Sequence, residues 1–245
     1  MIAKIIATGS SGNSILLKDT SGRGILLDAG LSLDSILQGI DFSPNSVDLV
    51  LVTHHHLDHL KAVPDMLDAF MPVAMSTLTA EHLPLYSDYA TLRICEEGET
   101  MTVGNWIIKP FDAFHDAPGS LGYLIYNKTD DMTVAYVADT GYIKYIFPSL
   151  NVLITECNYD DTIESNREEV EDRYLRLRES HMSLGRLKSY LSKAKMKDLR
   201  KIILIHLSDQ NSNEKKMVSE ISAQTGVEVK AARQGMEICL DECPF

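Results

Sequence analysis

The sequence has few cysteines, a deficit of basic charge and no long hydrophobic run. Four cysteines occur among 245 residues, and the first residues do not resemble a secretory signal, so we interpret the cysteines as reduced thiols rather than disulfides. No segment reaches the roughly 18 uninterrupted apolar residues that a membrane span needs. These absences predict a cytoplasmic protein that does not enter a membrane.

The charge balance restricts the possible partners. The sequence has 35 acidic and 23 basic residues and a formal net charge of −12, whereas proteins that hold nucleic acid with their general surface are usually basic. A phosphate-bearing substrate would therefore have to be bound locally. Residues 167–201, with 11 basic and 6 acidic side chains, are one candidate patch, and a solvated helix surface is the alternative.

The organisation of the chain predicts an α/β protein with one domain over residues 1–245. The composition, 44% hydrophobic and 24% charged, is that of a globular protein. Two turns that join a strand to an acidic residue, Leu26–Gly30 and Val137–Gly141, match each other. Each is followed by an apolar strand that ends on polar residues. This internal repeat favours an αββα sandwich, in which two sheets pack face to face with helices outside.

The densest group of functional side chains is Thr53-His54-His55-His56-Leu57-Asp58-His59, directly after the apolar strand at 47–52. Imidazole and carboxylate groups bind divalent metals, and two neighbouring ions need roughly six to eight such donors. Alternation along an extended backbone places His54 and His56 on one side. Asp58 and His59 follow the bend and can serve a second ion. A histidine-rich surface turn is the alternative, but the preceding buried strand and Asp58 argue against it.

The order T-H-x-H-x-D-H after a buried strand resembles the signature of the metallo-β-lactamase superfamily, and the resemblance covers nearly the whole chain. The loop Thr8–Ser14 and the turn Asp28-Ala29-Gly30 look like early motifs of that family. The resemblance implies two mixed sheets in the αββα sandwich, with Asp28 supporting the ligand loops by hydrogen bonds. It implies seven metal ligands, namely His54, His56 and His115 at one ion, Asp58, His59 and His206 at the other, and Asp139 between them.

Two downstream motifs indicate a branch of the family. Ile154–Tyr159 and Ser180–Ser183 are similar to the glutamate and histidine motifs of the tRNase Z and YycJ-type phosphodiesterases. The resemblance implies catalytic roles for Asp58, Glu156 and His181, with His181 near the leaving group and Glu156 orienting it. A solvated strand end and an ordinary helix start are the alternative interpretations of Glu156 and His181.

The loops at 9–14, 156–160 and 206–211 look most similar to the YycJ family of DNA exonucleases, although Cys157 and Tyr159 depart from its pattern. We therefore expect a hydrolase that uses two divalent ions, zinc or manganese, to cleave phosphodiesters, most specifically a nuclease acting on DNA. The expected partner is a nucleic acid or nucleotide phosphodiester, with a homodimer as one possible assembly. The alternatives are a cyclic nucleotide phosphodiesterase of the same fold, a glyoxalase-type thioester hydrolase and a metal-binding protein without catalysis.

Overall fold

The computed structural model describes residues 1–162, 178–194 and 196–241. In these ranges the chain forms two seven-stranded sheets. The strands are β1 (Ile2–Ala7), β2 (Ser14–Lys18), β3 (Gly24–Leu27), β4 (Val47–Leu51), β5 (Val73–Met75), β6 (Leu92–Ile94), β7 (Met101–Val103), β8 (Trp106–Asp112), β9 (Leu121–Asn127), β10 (Met132–Val137), β11 (Val152–Glu156), β12 (Lys201–Ile205), β13 (Glu228–Ala231) and β14 (Glu237–Cys239).

The two sheets have the same pattern of strand directions, although the edge strand β14 of the first sheet comes from the end of the described chain. Their strand orders are β14-β1-β2-β3-β4-β5-β6 and β7-β8-β9-β10-β11-β12-β13. In each sheet the first strands pair antiparallel and the later ones parallel, with the change at β3 in the first sheet and at β10 in the second. The internal repeat of the sequence is therefore a repeat of structure, and the prediction of two mixed sheets is confirmed.

Helices cover the outer faces of both sheets. They are α1 (Leu33–Gly39), α2 (Leu57–Leu60), α3 (Val63–Asp68), α4 (Thr77–Ala80), α5 (Leu184–Ala194) and α6 (Glu214–Thr225), with 3₁₀ turns at Pro44–Ser46 and Tyr86–Asp88. Side chains of α1 to α4 pack on the first sheet, and those of α5 and α6 pack on the second. The inner faces of the two sheets share a third apolar core. No helix of the described ranges is long and apolar enough to span a bilayer.

Apolar periodicity in the sequence predicts one helix from His59 towards Phe70 and another over residues 165–178. The helix expected from His59 towards Phe70 is two short helices, α2 and α3, and Pro64 lies in the first turn of α3. Proline is tolerated there because the first amide groups of a helix have no acceptor within it. The helix predicted over residues 165–178 lies almost entirely outside the described residues.

A buried tryptophan links the sheets. Trp106 of β8 is fully buried, and its Nε1 donates a hydrogen bond of 3.1 Å to Asp48 Oδ2 in β4. Asp48 also forms an ion pair with Arg23, the residue before β3. The indole therefore fills the core between the sheets and satisfies a carboxylate of the opposite sheet.

We expect Trp106→Phe to lower the free energy of unfolding by about 1–3 kcal/mol, because it leaves a cavity and removes a donor from Asp48. Urea denaturation followed by circular dichroism would measure it, since Trp106 is the single tryptophan. The control Phe70→Leu, at a side chain 76% exposed, should change stability by less than about 0.5 kcal/mol. Equal effects of the two substitutions would contradict this role of Trp106.

Candidate metal centre

The predicted site residues follow the carboxyl ends of neighbouring strands. His54 follows β4, His115 follows β8, Asp139 follows β10 and His206 follows β12. Because β8, β10 and β12 run in the same direction, their carboxyl ends meet at one edge of the sandwich. Ligands of open α/β sheets bind at such edges.

Three loops of the first sheet meet at Gly30. Its amide donates to the Asn13 carbonyl at 2.9 Å, the Asn13 amide donates to the Asp58 carbonyl at 2.7 Å, and the Ala29 amide donates to the His59 carbonyl at 2.8 Å. A Cβ atom on residue 30 would lie 1.7 Å from the Asp58 carbonyl oxygen. Only glycine therefore allows this approach, which fixes the position of the Asp58-His59 segment.

Three histidines form the first cluster. His56 Nδ1 lies 3.1 Å from His54 Nε2 and 3.2 Å from His115 Nε2. The Nδ1–H of His115 donates to the Ser180 carbonyl at 2.9 Å, which leaves the lone pair of its Nε2 facing the other two rings. The three nitrogens converge as ligands of one ion would.

The second cluster contains Asp58, His59, Asp139 and His206, whose potential ligand atoms all lie within 4.8 Å of one another. His59 Nε2 is 3.5 Å from a carboxylate oxygen of Asp58 and 3.5 Å from one of Asp139. Asp139 Oδ2 is also 4.0 Å from His115 Nε2 of the first cluster. Asp139 therefore stands between the clusters, and the structure brings all seven predicted ligands together.

Two buried polar atoms of the second cluster have no hydrogen-bond partner. They are Asp139 Oδ1 and His206 Nε2, and the latter lies 3.6 Å from Asp58 Oδ2. An unsatisfied buried polar group costs about 1–3 kcal/mol, and coordination of a cation would remove that cost. Imidazole nitrogens and carboxylate oxygens are suitable ligands for divalent transition metals. The histidine and aspartate clusters can therefore hold metal ions.

The electrostatics of the second cluster favour cations. Burial alone would lower the pKa of His59, but the carboxylates of Asp28 and Asp139 outweigh it and raise that pKa to about 10. Burial also disfavours the charged form of His206, but the carboxylates of Asp139, Asp58 and Glu156 outweigh it and raise the pKa of His206 well above its usual value. The buried carboxylates thus favour positively charged groups beside them. A metal ion that binds to these histidines would displace their protons.

A buried carboxylate, Asp28, orients the second cluster. It accepts hydrogen bonds from the Thr53 amide at 2.8 Å, from His59 Nδ1–H at 2.8 Å and from the Tyr136 hydroxyl at 2.7 Å. The bond to Nδ1 turns His59 Nε2 towards Asp58 and Asp139. Tyr136 belongs to the second sheet, so Asp28 also joins the two halves of the site.

Glu156 and His181 form a pair beside the second cluster. His181 Nδ1–H donates to Glu156 Oε1 at 2.5 Å, and Glu156 Oε2 accepts from the amides of Thr140 and Met182 at 3.0 and 3.1 Å. Burial disfavours the charged imidazolium, but the Glu156 carboxylate outweighs it and raises the pKa of His181. The ring of His181 stacks on that of His206 with 5.5 Å between centroids. Its side chain remains 17% exposed, whereas Glu156 is fully buried.

Sequence reasoning missed three polar residues of the site. Asn13 Nδ2 lies 3.0 Å from His59 Nε2, Asp116 Oδ1 lies 3.0 Å from His115 Nε2, and Asn158 Nδ2 donates to the His206 carbonyl at 2.9 Å. Each of the three lies within one of the sequence motifs named above or next to a predicted ligand. That position is the only signal for it in the sequence. Their contacts depend on loops that are distant in sequence.

The basic segment at 167–201 gains little support as a phosphate-binding patch. Residues 167, 173, 176 and 195 lie outside the described ranges. Lys201 is 1% exposed and is paired with Glu228 at 3.1 Å, so its inclusion in the patch was wrong. Lys188 forms an ion pair with Glu220 at 2.5 Å. Arg186 donates to the Gly141 carbonyl at 3.2 Å, which places it near the ligand loops.

The chain is similar to known proteins in sequence and in fold. Residues 7–155 match the family model of the metallo-beta-lactamase superfamily. The chain is 32% identical over 169 residues to exodeoxyribonuclease WalJ of Streptococcus pneumoniae and 29% identical over 167 residues to exodeoxyribonuclease YycJ of Bacillus anthracis. Each match spans 64% of this chain and 62% of the relative. The metallo-beta-lactamase fold protein YhfI from Bacillus subtilis shares the fold, with a TM-score of 0.74 over 97% of this chain and 98% of that chain at 17% identity.

We expect the purified, metal-loaded protein to hold about two transition-metal ions per chain, and Asp139→Ala to lose at least one, because Asp139 stands between the clusters. Elemental analysis of folded protein would measure this. The control Asp65→Ala, at an exposed residue of α3, should keep the wild-type content. One ion or none in fully loaded wild-type protein would reject a dinuclear centre.

Proposed function

The chain belongs to the metallo-β-lactamase superfamily, and from this premise we propose that it is a metal-dependent phosphodiester hydrolase, a nuclease that acts on DNA. The observation that carries the proposal is the position of the Glu156–His181 pair, next to two clusters of metal-binding side chains. The matched exodeoxyribonucleases support the same activity and substrate.

The proposed cofactors are two divalent ions, zinc or manganese. His54, His56 and His115 would hold the first, Asp58, His59 and His206 the second, and Asp139 would contact both. Two adjacent ions supply an activated water and stabilise the negative charge that develops on phosphorus. The unpartnered Asp139 Oδ1 and His206 Nε2 support the second site. In the first site, the convergence of three histidine nitrogens gives the same support.

Asp58 has a proposed catalytic role besides binding metal. Its side chain is 24% exposed, so one carboxylate reaches both the second cluster and the solvent side of the site. Oδ2 lies 3.5 Å from His59 Nε2 and 3.6 Å from His206 Nε2. A carboxylate in this position can orient the attacking water and accept its proton.

His181 is the proposed proton donor to the leaving oxygen. Its Nδ1–H is held by Glu156, so Nε2 is the nitrogen that remains for the substrate. Glu156 cannot rotate freely because two backbone amides hold its second oxygen. The raised pKa of His181 favours the protonated form that an acid catalyst needs.

This pair favours a phosphodiesterase over a thioester hydrolase. An alkoxide leaving group is strongly basic and needs a proton, whereas a thiolate, with a thiol pKa of about 8.5, departs near neutral pH without one. The cyclic nucleotide alternative has the same leaving-group chemistry and must be separated by substrate.

A homodimer and a cytoplasmic location remain proposals, the second supported by the free thiols of Cys95, Cys157 and Cys239.

We expect the metal-loaded protein to cleave DNA faster than RNA, cyclic mononucleotides or S-lactoylglutathione, because DNA is the substrate class of the matched exodeoxyribonucleases. Product release would be followed by electrophoresis and chromatography on one preparation. His54→Ala, which removes a ligand of the first cluster, serves as the inactive control. Turnover of the thioester or of a cyclic nucleotide alone would replace the proposed function with the corresponding alternative.

His181→Ala should leave metal content and fold intact, while turnover of a natural phosphodiester falls by about 10²–10⁴, the usual contribution of a positioned acid. The loss should shrink on bis-p-nitrophenyl phosphate, because p-nitrophenolate departs without a proton. Glu156→Gln should give a smaller loss of the same kind, and the control Asp65→Ala, at an exposed residue of α3, should give none. Equal losses of the His181 variant on both substrates, measured by steady-state kinetics, would reject the acid role.

A further inference from the structure

A partly exposed aromatic pair, Phe114 and Tyr142, belongs to the loops that carry His115 and Asp139. The rings of Phe114 and Tyr142 stack with centroids 4.1 Å apart and planes inclined by 18°. Phe114 immediately precedes His115, and Tyr142 follows Asp139 by three positions. Tyr142 is 50% exposed, so Phe114 covers one face of its ring while much of the side chain meets solvent. None of the catalytic roles assigned above uses this pair.

The backbone around the pair is held firmly. The Gly141 amide donates to the Phe114 carbonyl at 2.8 Å, and the Phe114 amide donates to Thr140 Oγ1 at 3.0 Å. Thr140 Oγ1 in turn donates to the Tyr142 carbonyl at 2.9 Å. These bonds join the loop of His115 to the loop of Asp139. The position of the Tyr142 ring is thereby tied to residues adjacent to both metal clusters.

The segment that leads to His181 packs against the loop that carries Tyr142. A Cβ atom on Gly141 would lie 2.2 Å from the Glu179 carbonyl oxygen, so residue 141 is closely backed by the chain that leads to His181. Arg186 of α5 donates to the Gly141 carbonyl. Tyr142 is therefore an exposed aromatic side chain on a fixed backbone, which reduces the conformational entropy lost when a ligand packs on it.

We propose that Tyr142, backed by Phe114, is the stacking surface for the nucleobase of a nucleotide adjoining the scissile phosphodiester. This inference rests on the proposed nuclease function and specifies its substrate further. Stacking on an aromatic side chain tolerates any base, but the base must be unstacked from its own helix. The subsite therefore takes an unpaired nucleotide, as in a single strand or a frayed end.

The position of the Phe114–Tyr142 pair and the net charge of the chain favour a nucleobase, rather than a phosphate, as the group that packs on Tyr142. The scissile phosphate lies at the clusters under the proposed function, and a base attached to the adjoining sugar is the flat apolar group nearest to it. Charged phosphates cannot use the ring face in this way, whereas stacking contributes about 1–3 kcal/mol per base. With a net charge of −12, the chain lacks a generally attractive field for DNA, so an uncharged contact of this kind adds affinity that its overall electrostatics do not supply.

The test uses thymidylyl-thymidine, which has a single phosphodiester, and two analogues in which one sugar or the other lacks its base. Wild-type protein, Tyr142→Ala, Tyr142→Phe and the control Phe42→Ala, at a side chain 71% exposed and outside the site, are compared by kcat/KM. Metal content and circular dichroism of each variant report its fold. Fluorescence anisotropy with a phosphorothioate strand, which resists cleavage, reports binding without turnover.

We expect wild type to prefer thymidylyl-thymidine over one of the two analogues by about 5- to 150-fold, the equivalent of 1–3 kcal/mol. Tyr142→Ala should lose that preference, with unchanged kcat/KM on that analogue and weaker binding of the phosphorothioate strand. Tyr142→Phe and Phe42→Ala should behave as wild type. Equal losses of Tyr142→Ala on all three substrates, or no loss on any, would overturn the stacking role while wild-type cleavage preserves the proposed function. Absence of wild-type cleavage of every substrate would instead reject the function itself.

Discussion

The site depends on one buried carboxylate, Asp28. It is fully buried in the turn after β3, and it accepts hydrogen bonds from the Thr53 backbone and side chain, from His59 and from Tyr136. These donors come from the histidine-rich loop, from α2 and from the second sheet. A single side chain thus holds the start of the ligand loop and the ring of His59, and it links both to the second sheet through Tyr136. Its satisfied oxygens also leave Asp58 and Asp139 as the carboxylates that face the centre.

That arrangement concentrates negative charge in a largely buried volume. Asp139 and Glu156 are almost fully buried and Asp58 is mostly so, and each lies within reach of His206. Burying several carboxylates together is unfavourable unless cations compensate for them. Protonated histidines provide that compensation when no metal is bound, and divalent ions would provide it more fully. Bound divalent ions would also supply the positive charge that the proposed phosphodiester substrate needs at this edge of a chain with a net charge of −12.

Much of this could be predicted from the sequence because the decisive features are local. The seven-residue histidine motif and the matching turns at Asp28 and Asp139 lie at strand ends. The family resemblance that they carry implies the two mixed sheets, and comparison confirms the family and the fold. Contacts between distant loops were not predictable. Asp116 and the stacking of Phe114 on Tyr142 depend on how the loops after β8 and β10 meet, and no periodicity in the sequence encodes that. For Lys201 the sequence-based prediction was wrong, because this basic residue, expected in a surface patch, is buried beside Glu228.

The central proposal is that two adjacent ions bind at the edge where the strands end. Anomalous X-ray diffraction from crystals of the zinc- or manganese-loaded protein tests it most directly. The account predicts two peaks roughly 3.5–4 Å apart, one among His54, His56 and His115 and the other among Asp58, His59 and His206, with Asp139 between them. A single peak, or a peak coordinated by Glu156 and His181 in place of either site, would contradict it.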